Sequence, residues 1–136
     1  LKEGSYTSMK LPAFSSFDIP ALLKYRNEST LISDFPGNPL SSYYLNECRL
    51  GLYILWVIES IRVGCDNSKI AFFDFYSMNP VLLPKSSVER PQTVNSEYSH
   101  QIAADAYSKW WKDNEGKAFN RFRTKDPLLK TDFRWK

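Results

Sequence analysis

Leu50-Gly51-Leu52-Tyr53-Ile54-Leu55-Trp56-Val57-Ile58 is the stretch that decides the fold. Every residue in it except Gly51 is large and apolar. A helix that is apolar nearly all round is buried on most sides. Extended outward, Cys48, Leu52, Leu55 and Trp56 form one stripe at helical spacing, and Ile54, Ile58 and Ile61 widen it. The spacing predicts a central helix over 43–63, with Gly64 as a left-handed cap. The run is flanked by Arg49 and Glu59. It falls short of the roughly 18–20 apolar residues a membrane span needs.

Downstream, Tyr98, Ile102, Ala103, Ala106, Tyr107, Trp110 and Trp111 recur every three or four residues. They predict a helix over 96–115, capped by Asn95 or Ser96. Upstream, Asp18-Ile19-Pro20 reads as the start of a short helix over 18–27. Asp can cap the free N–H groups, and proline is tolerated in the first turn. Between these lie proline-rich connections, such as Phe35-Pro36-Gly37-Asn38-Pro39, which forbid regular structure. Residues 70–76 are rich in Phe and Tyr and have high strand propensity. Ala118, Phe119 and Phe122 suggest a further short helix, and the tail from Leu128 has alternating character. The fold class is therefore mainly α: one helical domain over 1–136 with irregular Pro-rich loops. The alternative is α+β, with a small sheet from 70–76 and the C-terminal tail.

Composition agrees with a packed domain. The 136 residues are 43% hydrophobic and 15% aromatic, enough bulky surface to build a core. The net charge of +3 is too small to indicate nucleic acid. Its distribution says more: from Lys109 onward there are 9 basic and 4 acidic residues. Three segments there interleave cations and rings: Lys109–Lys112, Lys117–Arg123 and Phe133–Lys136. Such interleaving can bind single-stranded nucleic acid. On a helix, however, the rings turn into the core while Lys and Arg stems cover its rim. Phe133 and Trp135, in the tail, are left without a core role and are expected to be exposed.

Candidates for chemistry are few. His100 is the only imidazole. It stands in the first turn of its helix beside Ser99 and reads as a solvated surface residue. Cys48 lies on an apolar face, where a thiol stays protonated and inert. On an unbroken helix, Cys48 and Cys65 stand roughly 25 Å apart. A disulfide needs Cα atoms within about 7 Å, so no bridge is expected. Glu59 follows the apolar run at the core edge, three residues before Arg62, and a local ion pair is expected. The sequence holds no phosphate loop, GxGxxG, CxxC or HExxH pattern. No cofactor and no metal site are expected.

Several segments match a known pattern together: Asp18-Ile19-Pro20-Ala21-Leu22-Leu23-Lys24-Tyr25, Phe35 through Tyr43, Leu50-Gly51 with Leu55 through Arg62, and Asp126-Pro127-Leu128 with Phe133-Arg134-Trp135. The pattern resembles small lipoproteins of Bacteroides-type bacteria built on a domain of unknown function. The resemblance implies a lipid-modified cysteine upstream of Leu1 and export to the cell envelope. The opening at Leu1 rather than Met reads as a fragment or processed form. No functional residue carries over from that family.

The function expected is non-enzymatic binding of a protein or a glycan. The contact surface expected is Phe35 and Asn38 with Phe133, Arg134 and Trp135. The membrane is reached only through the implied anchor. The alternatives are a hydrolase using acids such as Glu59, and nucleic-acid binding through the basic C-terminal third.

Overall fold

The computed structural model describes residues 14–33, 35, 45–64, 79–86 and 95–136. The architecture is mainly α, with two small antiparallel ladders beside the helices. The chain enters through helix α1 (Ile19–Leu22), which has a 3-10 turn at each end, Ser16–Asp18 and Leu23–Tyr25. The start is three residues earlier than Asp18 suggests, because Ser15 is the cap. The Ser15 N–H donates to Asp18 Oδ2 at 2.7 Å, the return arm of a capping box. Asp18 thus acts from inside the turn.

The central helix α2 runs Leu50–Val63. The expected start at 43 is corrected: Cys48–Arg49 form strand β2, paired antiparallel with β1 (Leu31–Ile32). Arg49 is extended (φ −71°, ψ 136°). The first helical N–H groups have no partner within a helix. Here Leu50 N–H donates to Thr30 O at 2.8 Å and Gly51 N–H to Glu28 O at 2.9 Å. Carbonyls of a distant segment fix the boundary, and no local pattern encodes them. Gly51 is also required sterically. A Cβ there would run into Arg26 O and stand 2.7 Å from His100 Nε2. At the far end Gly64 is left-handed (φ 86°), as expected.

Helix α3 (Glu97–Asp113) packs against α2. Ser96 caps it, accepting from the Ser99 N–H at 3.1 Å. Ile19, Leu52, Leu55, Ile58, Ala103, Ala104 and Tyr107 are sealed between the helices. Each large aliphatic side chain buried this way stabilises the fold by about 1.5–3 kcal/mol. Cys48 is a free, buried thiol, and burial pushes it up to about 12. Cys65 and residues 70–76 lie outside the described residues.

The tail completes the core. Strand β4 (Phe133–Trp135) pairs antiparallel with β3 (Leu82–Pro84), in the register Leu82 with Trp135 and Pro84 with Phe133. The expectation of exposed tail rings is corrected: Phe133 is 7% and Trp135 5% exposed. Residues alternate across a strand, so Arg134 between them points outward and is exposed. Asn95 ties this ladder to α3. Its Nδ2 donates to Pro80 O at 2.9 Å, and its Oδ1 accepts from Leu82 N–H at 3.0 Å. Among the described residues, no helix is long and apolar enough to cross a membrane.

Candidate binding groove beside the third helix

The acid singled out from the sequence is enclosed. Arg62 grips Glu59 through two bonds, Nη2 to Oε1 at 2.5 Å and Nε to Oε2 at 2.8 Å. The Tyr107 hydroxyl also donates to Glu59 Oε2. Trp135 Nε1 in turn donates to the Tyr107 oxygen at 2.8 Å. Arg62 and Arg123 each donate to the other's backbone carbonyl, at 2.8 and 3.0 Å. Burial and the neighbouring carboxylate hold the Tyr107 hydroxyl well above its usual range, so it stays protonated. The expected Glu59–Arg62 ion pair is present. Because both carboxylate oxygens are engaged and Glu59 is only 7% exposed, the group cannot serve as a solvent-facing acid or base. Its work is to join α2, α3 and β4.

His100 is likewise corrected. It is buried, and its Nε2 bonds the Arg26 carbonyl at 2.7 Å. Burial lowers its affinity for a proton, and the neighbouring Arg49 adds to this. The reason it leaves solvent is non-local: the first turn of α3 crosses at Gly51, where only glycine leaves room. Phe35 is half-buried against Tyr53, with ring centroids 5.9 Å apart. Asn38 lies outside the described residues. Of the five residues expected to form a contact surface, only Arg134 is described as exposed. Among the described residues, no group of three or more His, Cys, Asp or Glu side chains is placed to hold a metal ion.

Among the described residues, an open feature lies on the other side of α3. A groove of about 490 Å³ runs between α3 and the 114–131 segment. Its volume falls within the range of ligand pockets, roughly 300–1,000 Å³. Ile102, Ala106, Trp110, Pro127 and Leu129 supply apolar lining. Leu129, 70% exposed, stands at the lip of the groove. The charged lining is Lys109, Lys117, Lys125 and Lys130, with Asp105, Asp113 and Asp126.

Local chemistry holds the outer wall in place. Lys85 Nζ donates to three carbonyls at once, Leu128, Leu129 and Thr131, at 2.7–2.9 Å. An ammonium has three donors, so its capacity is filled. Asp126 Oδ1 accepts from the Leu128 N–H at 2.8 Å and opens the turn. Thr131 Oγ1 closes it, donating to Leu128 O at 2.9 Å. A loop so pinned presents Leu129 and Lys130 to the groove without needing to be ordered by a ligand.

A match over residues 1–136 to the model of a domain of unknown function, DUF4943, supplies the family. The chain belongs to the DUF4943 family. Neither a curated protein nor a solved structure matches it. None of these comparisons supplies a function for this DUF4943 chain. Sequence reasoning placed Lys109, Trp110 and Lys117 in segments of interleaved rings and cations. It missed Asn114, Lys125, Leu129 and Lys85, whose roles arise only when 114–131 folds back on α3. The one local signal was Leu128-Leu129, an apolar pair directly after a proline in a cationic segment.

Proposed function

We propose that this DUF4943 domain is a non-enzymatic binding module of the cell envelope, carried on a lipoprotein, that receives a segment of a partner protein in the groove beside α3. The groove is the observation that carries the reading: a preformed apolar trough, walled by charge, with the exposed Leu129 at its lip. The envelope and the lipid anchor are supported by the sequence resemblance alone.

A protein segment suits the groove better than a glycan does. Sugars are bound on exposed aromatic faces, but the aromatic ring in the groove lining is the buried Trp110, and the exposed rings Phe17, Tyr25 and Tyr98 are not part of that lining. The ring pairs at Trp110 are tilted or edge-on, as in a core. Nucleic acid is disfavoured by the three Asp residues set among the lysines of the groove.

Binding is tested by amide chemical-shift mapping with a pool of short peptides. The reading predicts shifts that cluster at Ile102, Ala106, Leu129 and Lys130. Shifts confined to the β3–β4 ladder or to α1 would move the site elsewhere and refute it.

A further inference from the structure

Asn114 ends α3 and is buried, at 4% exposure. Its Nδ2 donates to Trp110 O at 2.7 Å, which fixes the amide's orientation. Its Oδ1 then accepts from two ammonium groups, Lys117 Nζ and Lys125 Nζ, each at 3.3 Å. Two cations that would repel each other are thus gathered on one neutral oxygen at the groove surface. Among the described residues no carboxylate stands within ion-pair distance of either, although Asp113 is near enough to feel the Lys117 charge. Among the described residues the ion pairs are Arg62–Glu59 and Lys109–Asp113. Asp126 is engaged at the Leu128 N–H, and Asp105 accepts from Gln101 Nε2 at 3.0 Å. Lys117 also donates to the Asp113 carbonyl at 3.2 Å, which holds it in place without cancelling its charge. Trp110, whose carbonyl accepts from Asn114, is 6% exposed, and among the described residues its buried indole N–H has no hydrogen-bond partner. Such a donor is costly to leave unmet.

We propose that the Lys117–Lys125 pair on Asn114 is a carboxylate-binding subsite, and that the groove takes the C-terminal end of a partner polypeptide. The terminal carboxylate lies between the two ammonium groups, and the last side chain, an apolar one, rests against Ile102, Ala106 and Leu129. The inference rests on the binding reading above and names its ligand chemistry. The two cations share one neutral acceptor, and neither forms an ion pair among the described residues. One carboxylate set between them, with an apolar group against the apolar lining, therefore complements the site, whereas the nearby Asp residues oppose a polyanion. Charge-assisted bonds of this kind are about twice as strong as neutral ones.

The test titrates the whole chain with N-acetyl-Ala-Ala-Leu bearing a free carboxylate, the same peptide with an amide end, 4-methylpentanoate, and inorganic phosphate. Amide and indole shifts give the site and the affinity. The free-acid peptide is expected to bind at least about tenfold more tightly than the amide, one factor of ten for each 1.4 kcal/mol. Its binding should weaken with added salt. In the K117Q/K125Q variant the acid should fall to the level of the amide. Both residues are exposed, so the indole spectrum of the variant should report an intact fold. Equal binding of acid and amide at the groove overturns the carboxylate subsite while leaving the groove as a binding site. Equal binding by 4-methylpentanoate assigns the site to small organic acids and overturns the polypeptide end, as does preferential binding of phosphate. No shift at the groove with any probe overturns the proposal.

Discussion

Tyr107→Phe probes the buried junction of α2, α3 and β4 with little change of shape. Tyr107 is fully enclosed. A phenylalanine keeps the ring and its edge-on contacts with Trp110 and Trp135, at 6.2 and 6.5 Å between centroids. What disappears is one oxygen with two bonds. The Trp135 indole N–H loses its acceptor, and a stranded buried donor costs about 1–3 kcal/mol. Glu59 Oε2 loses the hydroxyl donor but retains Arg62 Nε at 2.8 Å, so its loss stays at the lower end for a bond to a charged group, about 1.5 kcal/mol. The variant should therefore be destabilised by about 2.5–4.5 kcal/mol. Equilibrium unfolding in urea measures this as a lower midpoint with an unchanged slope. The same change made in a Trp135→Phe background should cost less, because no indole donor is left stranded. A loss under about 0.5 kcal/mol, equal in both backgrounds, would show that the junction is not hydrogen-bonded as described.

Three further outcomes follow from the same geometry. His100 is held neutral by burial. Its folded-state value is lowered, so the unfolded chain binds the proton first, and stability should decline as pH falls below about 6.5. Urea midpoints between pH 8 and 5.5 should show this decline, and His100→Gln should flatten it; an unaltered slope in the variant would contradict the assignment. Lys85→Met removes the ammonium that bridges Leu128, Leu129 and Thr131. Because Lys85 is exposed, global stability should fall by no more than about 1 kcal/mol, while hydrogen exchange at the Thr131 amide accelerates; unchanged exchange there would mean the wall stands without it. In a Cys65→Ser background, Cys48 should resist a thiol reagent at pH 8 and react fully in urea. Rapid labelling of the native protein would place it at the surface instead.

The parts legible in the sequence were those set by local rules. The periodicity of 97–113, the Ser96 cap and the left-handed Gly64 all follow from residues within a turn of each other. Glu59 and Arg62, three apart on one helix, met as helical spacing requires. The parts that were not legible depend on distant partners. Residues 48 and 49 have a helix-compatible pattern, yet pair with β1, and carbonyls 28 and 30 set where α2 begins. His100 has polar neighbours in sequence but meets Gly51 in space. The alternation of the tail suggests extended backbone, but it leaves Phe133 and Trp135 as surface rings, because nothing local shows that β3 and the Tyr107 hydroxyl cover them. The groove is the furthest from local reading, since Lys117 and Lys125 become neighbours only through Asn114.

The central claim is that a partner protein occupies the groove beside α3. Photo-crosslinking in intact producing cells tests it most directly, with a benzophenone amino acid replacing either Leu129, at the groove lip, or Phe17, which is 92% exposed on the Ser16–Asp18 turn. A discrete protein adduct should form from position 129, not from position 17, and should vanish when Lys117 and Lys125 are both changed to Gln. Adducts of equal yield from both positions, or none from position 129, would contradict the account.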